Sequence, residues 1–237
     1  MTGAVTEPGP WQAARVVRLH EETPRATTIR LALERPALHR AGQHYVVRLT
    51  APDGYTASRS YSVASAPSAS GTIELTVERF DDGEVSTYLH DVLEVDDELE
   101  VRGPIGGWFV WDGTEPALLV GGGSGIVPLM SMLRLARATN RSDLVRLVVS
   151  ARTFDDVYYR DEVFGPETSV VYTRVAPPNT VRPVGRLTAA DLAGAHVHDA
   201  TAYVCGSPSF CNAATDLLVE VGVPIDRIRV ERFGPSG

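Results

Sequence analysis

Lysine does not occur in this 237-residue chain, and all 22 of its basic residues are arginine. That absence excludes a GK[ST] phosphate loop, Schiff-base chemistry on a lysine amine and a lysine general base. Cysteine is nearly as scarce. Cys205 and Cys211 are too few for a disulfide framework, a four-thiolate iron–sulfur cluster or a structural zinc site, so no metal is expected. None of the six histidines stands beside a nucleophile or in ligand spacing, which leaves hydrolytic triads and metal hydrolases without support. No apolar run approaches the roughly 18 residues of a membrane span. The N-terminus "MTGAVTEPGPWQAARVV" has neither the basic start nor the apolar stretch of a signal peptide, so a cytoplasmic protein without a membrane partner is expected. Acidic residues outnumber basic ones to leave a net charge of −8 with no basic run, which argues against nucleic acid as a partner.

What is present is an ordinary globular composition, 43% hydrophobic and 22% charged, arranged in two styles. Residues 11–111 are strand-rich: "ARVVRL", "TTIRLAL", "HYVVRLT", "RSYSV", "TIELTVERF" and "DELEVRG" carry β-branched residues, and several alternate in period two, as Ile73, Leu75 and Val77 do. Six such runs with Gly or Pro between them predict a small antiparallel β-barrel. One helix is expected at about 84–93, where Val85, Leu89, Val92 and Leu93 keep helical spacing behind Gly83. Residues 116–237 alternate short apolar strands, "ALLVGGG", "LVRLVVS", "TSVVYTRV", "ATAYVCG" and "RIRVERF", with helical patterns. Leu129, Met132, Leu133 and Ala136 form one stripe; Phe210, Ala213, Ala214, Leu217, Leu218 and Val221 form another. This half reads as a doubly wound α/β domain with a mainly parallel sheet. The boundary is expected in 111–116, and residues 1–10 are expected to be disordered.

Four stretches could carry chemistry. In "LLVGGGSGIVPLMSML" a strand runs through Gly123, Ser124 and Gly125 into a helix with Pro128 in its first turn. Its glycines and unpaired helix N–H groups suit a nucleotide pyrophosphate, although GxGxxG is not matched and a structural tight turn is the alternative. In "VVSARTFDDVYYRDE", Ser150, Arg152, Tyr159 and Arg160 offer hydroxyls and guanidiniums to a 2′-phosphate, where an NAD reader would place a carboxylate. A solvated loop of mixed charge explains the same letters. In "AYVCGSPSF", Cys205 and Gly206 end a strand on the ligand-binding edge of such sheets, and Ser207 with Pro208 read as N-cap and first helical residue. Core packing is the ordinary reading of a cysteine there, and Cys211 is read as core. In "RSYS", period two puts Arg59 and Tyr61 on one face and Ser60 and Ser62 on the other, offering a phosphate clamp and a flat ring surface.

The order "RSYS" (59–62), "GGGSGIVP" (121–128), "CGSP" (205–208) and "ERF" (231–233), with "GPIGGWF" at 103–109, resembles the ferredoxin–NADP reductase superfamily. The resemblance implies an FAD-binding barrel followed by an NAD(P)-binding domain. It assigns Arg59 to the FAD pyrophosphate, Tyr61 to the isoalloxazine face, with Ser60 in the same motif, and Ser62 to flavin N5. Val77 would line the flavin's far edge, and the turn at Gly83, Val85 and Ser86 would bind FAD phosphate. Gly123, Ser124 and Gly125 would cradle the nicotinamide dinucleotide, Cys205 with Gly206 would lie beside nicotinamide C4, and Glu231 and Phe233 would complete the pocket. Ser62, Cys205 and Glu231 are then the catalytic candidates. The implied activity is hydride transfer from NAD(P)H onto FAD, followed by electron transfer to a separate acceptor, a ferredoxin-type protein, another metalloprotein or a small acceptor such as a free flavin or ferric complex. A monomer is expected, and Ser150 and Arg152 favour NADP(H) over NAD(H). A second reading is an FAD-binding subunit or regulator with little pyridine-nucleotide activity.

Overall fold

A computed structural model describes residues 9–195 and 199–234; the expectation for residues 1–10 falls almost entirely outside them. Seven elements build the first half: β1 (Gln12–Thr23), β2 (Ala26–Leu33), β3 (His44–Thr50), β4 (Thr56–Ser62), β5 (Thr72–Glu78), α1 (Glu84–Asp91) and β6 (Glu98–Ile105). The strands pair antiparallel in the order β4-β3-β6-β1-β2-β5. An isolated bridge between Val63, just past β4, and Leu75 of β5 joins the two ends of that sheet. The result is the expected barrel, with both edges drawn together. The inward alternation is legible on β5, where Ile73, Leu75 and Val77 are buried with Val16, Leu31, Val47 and Val101. Helix α1 closes one end of this core with Val85 and Leu89. It stops before Val92, which is exposed, because the N–H groups of Val92 and Leu93 both bond the Tyr88 carbonyl. That corrects the longer expected helix.

The second half contains β7 (Ala117–Gly122), α2 (Ile126–Ala138), β8 (Val145–Ala151), β9 (Thr168–Tyr172), α3 (Ala189–Ala195), β10 (Thr201–Gly206), α4 (Pro208–Glu220) and β11 (Ile228–Arg232). Its sheet is parallel throughout in the order β11-β10-β7-β8-β9. Helix α2 packs Leu129, Met132, Leu133 and Ala136 on one face. On the other face α3, which the sequence pattern did not predict, and α4 supply Leu192, Cys211, Ala214 and Leu218. Ala213 of the expected stripe is exposed and Cys211 takes the buried position. Ser207 caps α4 by accepting from the Phe210 N–H at 3.3 Å, with Pro208 as the first helical residue, as its side-chain chemistry predicts.

The two halves share one apolar layer. Ala64, two residues beyond β4, packs in the same cluster as Ile126 and Met130 of α2 and Cys205 of β10. The strand that carries Arg59, Tyr61 and Ser62 therefore leads directly into the junction with the glycine loop.

Candidate active site at the junction of barrel and parallel sheet

Register aligns the carboxyl ends of four strands. Cys205 pairs with Gly121 on one side and Glu231 on the other, while Gly122 pairs with Ser150. The motifs separated by more than a hundred residues in sequence thus form one edge, where doubly wound sheets bind ligands. The 3₁₀ turn Gly123–Gly125 lies over this edge and leads into α2 with no side chain capping the helix start. An added Cβ at Gly125 would sit 2.1 Å from the Cys205 carbonyl oxygen, so the loop backbone rests on β10. At Gly123 the reverse holds: its φ of +56° suits glycine, yet nothing lies within 4 Å of its would-be Cβ. The loop is pressed onto the sheet at one residue and open at another, as a phosphate cradle needs to be.

Across the junction, β3 and β4 pair Tyr45 with Tyr61, Val47 with Arg59 and His44 with Ser62. Arg59 is exposed, and its guanidinium makes a local hydrogen bond to the Ser58 carbonyl at 2.8 Å. Tyr61 is half-buried against the barrel core. Ser60 is exposed. Ser62 is buried, and its Oγ has no hydrogen-bond partner among the described residues. Buried hydroxyls are rarely left unpaired without reason. At α1, Gly83 is an N-cap without a side-chain cap, which leaves first-turn N–H groups for an anion.

The family model for an oxidoreductase FAD-binding domain matches residues 14–110, and that for an oxidoreductase NAD-binding domain matches residues 119–216. The chain belongs to the ferredoxin–NADP reductase superfamily. Among curated members, the reductase component of propane 2-monooxygenase from Rhodococcus jostii is 30% identical over 92% of this chain and 62% of its own length. The glycine betaine monooxygenase reductase subunit of Chromohalobacter salexigens is 36% identical over 68% of this chain and 43% of its own. The chain therefore spans less than two thirds of either relative. The cytochrome P450 reductase GcoB of Amycolatopsis superposes with a TM-score of 0.79 at 26% identity, covering 95% of this chain and 70% of the other. The FAD/NAD-binding domain of a Vibrio cholerae nitric oxide dioxygenase shares the fold at a TM-score of 0.80 and 23% identity, over 94% and 99% of the two chains.

Within this reductase fold the residues fit FAD and a pyridine nucleotide: a Ser62 hydroxyl unpaired among the described residues, an exposed Arg59 guanidinium bonded locally to Ser58, and two helix starts without side-chain caps beside glycine turns. At other expected positions the structure shows which atoms are free to make contacts. Val77 is wholly enclosed in the barrel core, so its side chain is packing. Val85 is likewise core, and only its backbone can serve a phosphate. The Ser86 hydroxyl donates to the Gly83 carbonyl at 3.1 Å and accepts from the Phe80 N–H at 3.2 Å, which commits it to the turn. Tyr159 is buried, with its hydroxyl 2.6 Å from Thr76 of the barrel, and Arg160 is ion-paired with Asp155 at 3.0 Å. Neither stands ready for a 2′-phosphate. Ser150 is half-buried and Arg152 exposed at the end of β8. His44, directly opposite Ser62, was missed because only strand register reveals the pairing; burial lowers its pKa and keeps the ring neutral.

Cys205 and Glu231 titrate out of their usual ranges. Burial, then the Glu231 and Cys211 charges, hold the Cys205 thiol well above its ordinary value, so it is a neutral thiol and no nucleophile. Phe233 packs against the apolar cluster that includes Cys205, and its N–H bonds the Gly206 carbonyl at 2.9 Å. Burial pushes the Glu231 carboxyl up to about 7. Because an unfolded glutamate titrates near 4.3, the folded chain holds a proton that the unfolded chain releases between those values. Stability from this group is complete below about pH 4.3, declines as pH rises to about 7 and is then flat, a loss on the order of 3 kcal/mol. Glu231→Gln is expected to flatten that decline. Urea unfolding of both proteins across this range checks it, and parallel curves would contradict the assignment.

Proposed function

We propose that this chain is an FAD-dependent NAD(P)H oxidoreductase that passes electrons to a separate protein acceptor, a ferredoxin-type or other metalloprotein of an oxygenase system. The observation that carries the reading is the unpaired, buried Ser62 hydroxyl, set on the strand that enters the same apolar layer as the glycine loop and Cys205. When bound, FAD supplies the conversion of a two-electron hydride donor into single-electron transfers. The protein's part is positioning. Arg59 and the first turn of α1 would hold the FAD phosphates, Tyr61 would offer its ring to the flavin, and Ser62 would donate a hydrogen bond to a flavin ring nitrogen. Gly123–Gly125 and the α2 start would hold the nicotinamide dinucleotide. The neutral Cys205 thiol fills the sheet edge without charge, and Glu231, close to neutrality in its titration, can hold or release a proton there. The monooxygenase reductase components among the relatives support an oxygenase-system acceptor.

The NADP(H) preference now rests on Ser150 and Arg152. The Arg152 guanidinium makes no ion pair among the described residues, so its charge is available to a 2′-phosphate. Anaerobic titration with NADPH and with NADH is expected to bleach the visible flavin band. Arg152→Ala is expected to lower the NADPH-to-NADH ratio of kcat/KM by about tenfold to a hundredfold, the worth of one charge-assisted contact. An unaltered ratio removes the NADP assignment. Flavin that binds but is reduced by neither nucleotide would replace the whole reading with that of an FAD-binding subunit.

A further inference from the structure

The barrel face turned toward the second domain carries two rows of polar side chains. Thr28 of β2 and Thr76 of β5 are direct cross-strand partners, and so are Arg30 and Glu74. Thr28, Thr76 and Glu22 are buried although polar, and Tyr159 of the segment after β8 bonds two of them, Thr76 and Glu22. The hydrogen bonds there form a closed ring. The Thr28 hydroxyl donates to Glu22 Oε1 at 2.7 Å, and Thr28 Oγ1 lies 2.8 Å from Thr76 Oγ1, which lies 2.6 Å from the Tyr159 hydroxyl. The Tyr159 N–H closes the ring on Glu22 Oε2 at 2.8 Å. Each hydroxyl has one proton and that of Thr28 goes to Glu22, so every hydroxyl must point the same way, from Tyr159 through Thr76 and Thr28 to Glu22. Aligned hydroxyls polarise one another and strengthen the chain. Tyr159 is gripped at both its backbone and its side-chain end, and it holds a φ of +56°, unfavourable for a bulky residue unless its surroundings impose it.

Beside this ring, Arg134 of α2 clamps the domains. It reaches the Ala64 carbonyl at 3.0 Å and Glu74 at 2.9 Å on the barrel, and binds Glu162 of its own domain through two nitrogens at 2.9 and 2.6 Å. Its guanidinium lies 5.0 Å from the Tyr159 ring centre. Ser131, one turn earlier on α2, donates to the Ser65 carbonyl at 2.7 Å. The backbone just past Ser62 is therefore tied to the helix that begins at the glycine loop, so slack in this seam moves one half of the site against the other.

We propose that Glu22 and Tyr159, with Arg134, are positioning residues that set the flavin-to-nicotinamide geometry through this seam. The inference rests on the proposed NAD(P)H–flavin reaction. The test compares wild type, Glu22→Gln and Tyr159→Phe as FAD-loaded full chains. Glu22→Gln turns an amide donor toward either the Tyr159 N–H or the Thr28 hydroxyl, while Tyr159→Phe removes only the Thr76 bond. Glu22→Gln is expected to lower the limiting rate of anaerobic flavin reduction at saturating nucleotide by about tenfold or more. Nucleotide Kd and FAD content are expected to stay unchanged, the long-wavelength charge-transfer absorbance to weaken, and hydrogen exchange at the Tyr159 amide to accelerate. Tyr159→Phe is expected to show a smaller effect of the same pattern, and it carries the test should Glu22→Gln not fold. Lower melting temperatures with an unchanged limiting rate and charge-transfer band would overturn the proposal and leave an adhesive seam. Failure of wild type itself to be reduced by either nucleotide would instead overturn the proposed function, and this inference with it.

Discussion

Gly125→Ala is expected to abolish nucleotide binding and to destabilise the second domain by about 3 kcal/mol or more, at the upper end of the cost of overpacking. The reason is contact, not conformation. Gly125 has a φ of −61° that alanine adopts freely. Its added methyl would lie 2.1 Å from the Cys205 carbonyl oxygen, 2.3 Å from its carbon and 2.6 Å from the Gly206 nitrogen. All three atoms are backbone of β10, which is held by hydrogen bonds to β7 on one side and β11 on the other. They cannot retreat as the tip of a flexible side chain can, so the loop must lift from the sheet edge and carry its N–H groups away from the phosphates. Gly123→Ala is the matched control. It meets nothing within 4 Å and pays only for its positive φ, about 1 kcal/mol. Thermal melts and nucleotide titrations of the two variants give the comparison; a Gly125→Ala protein with wild-type melting and affinity would mean that the loop does not rest on β10.

Arg59→Ala is expected to weaken FAD binding by about tenfold to a hundredfold or slightly more, the 1.5–3 kcal/mol of a charge-assisted phosphate contact. The apoprotein is expected to melt unchanged, because the Arg59 side chain is exposed and, among the described residues, bonds the neighbouring Ser58 carbonyl alone. A core arginine would behave otherwise, lowering stability and ligand affinity together. Arg59→Lys keeps the charge but loses the fork that holds two phosphate oxygens at once, so it is expected to fall between the two. Calorimetric titration of apoprotein with FAD measures the series. Equal affinity across it would remove Arg59 from the flavin site.

How much of this was legible in the letters depended on range. The six barrel strands and five sheet strands could be read because period two and short apolar runs are properties of a few consecutive residues. The same holds for the start of α4, where Ser207 bonds an N–H three residues on. The end of α1 was misjudged by one step of the helical stripe, since apolar spacing continues through Val92 while the backbone bonds turn back to Tyr88. Tyr159 was misread for a stronger reason. Its partners, Thr76 and Glu22, lie 83 and 137 residues away, so nothing near it in sequence distinguishes a domain seam from a solvated nucleotide reader.

The sequence by itself determined the order of the strands and of three of the four α-helices, the glycine turn before α2, the absence of lysine, and the four motifs in family order. Each is a local pattern or a count. Only the tertiary structure decided that Val63 meets Leu75 to close the barrel, that the Ser62 hydroxyl is buried without a partner among the described residues, that burial pushes the Glu231 carboxyl up to about 7, and that Tyr159 bonds both the barrel's Thr76 and Glu22. These depend on which distant groups exclude water from one another, and desolvation and cross-domain hydrogen bonds exist only once the two halves have packed.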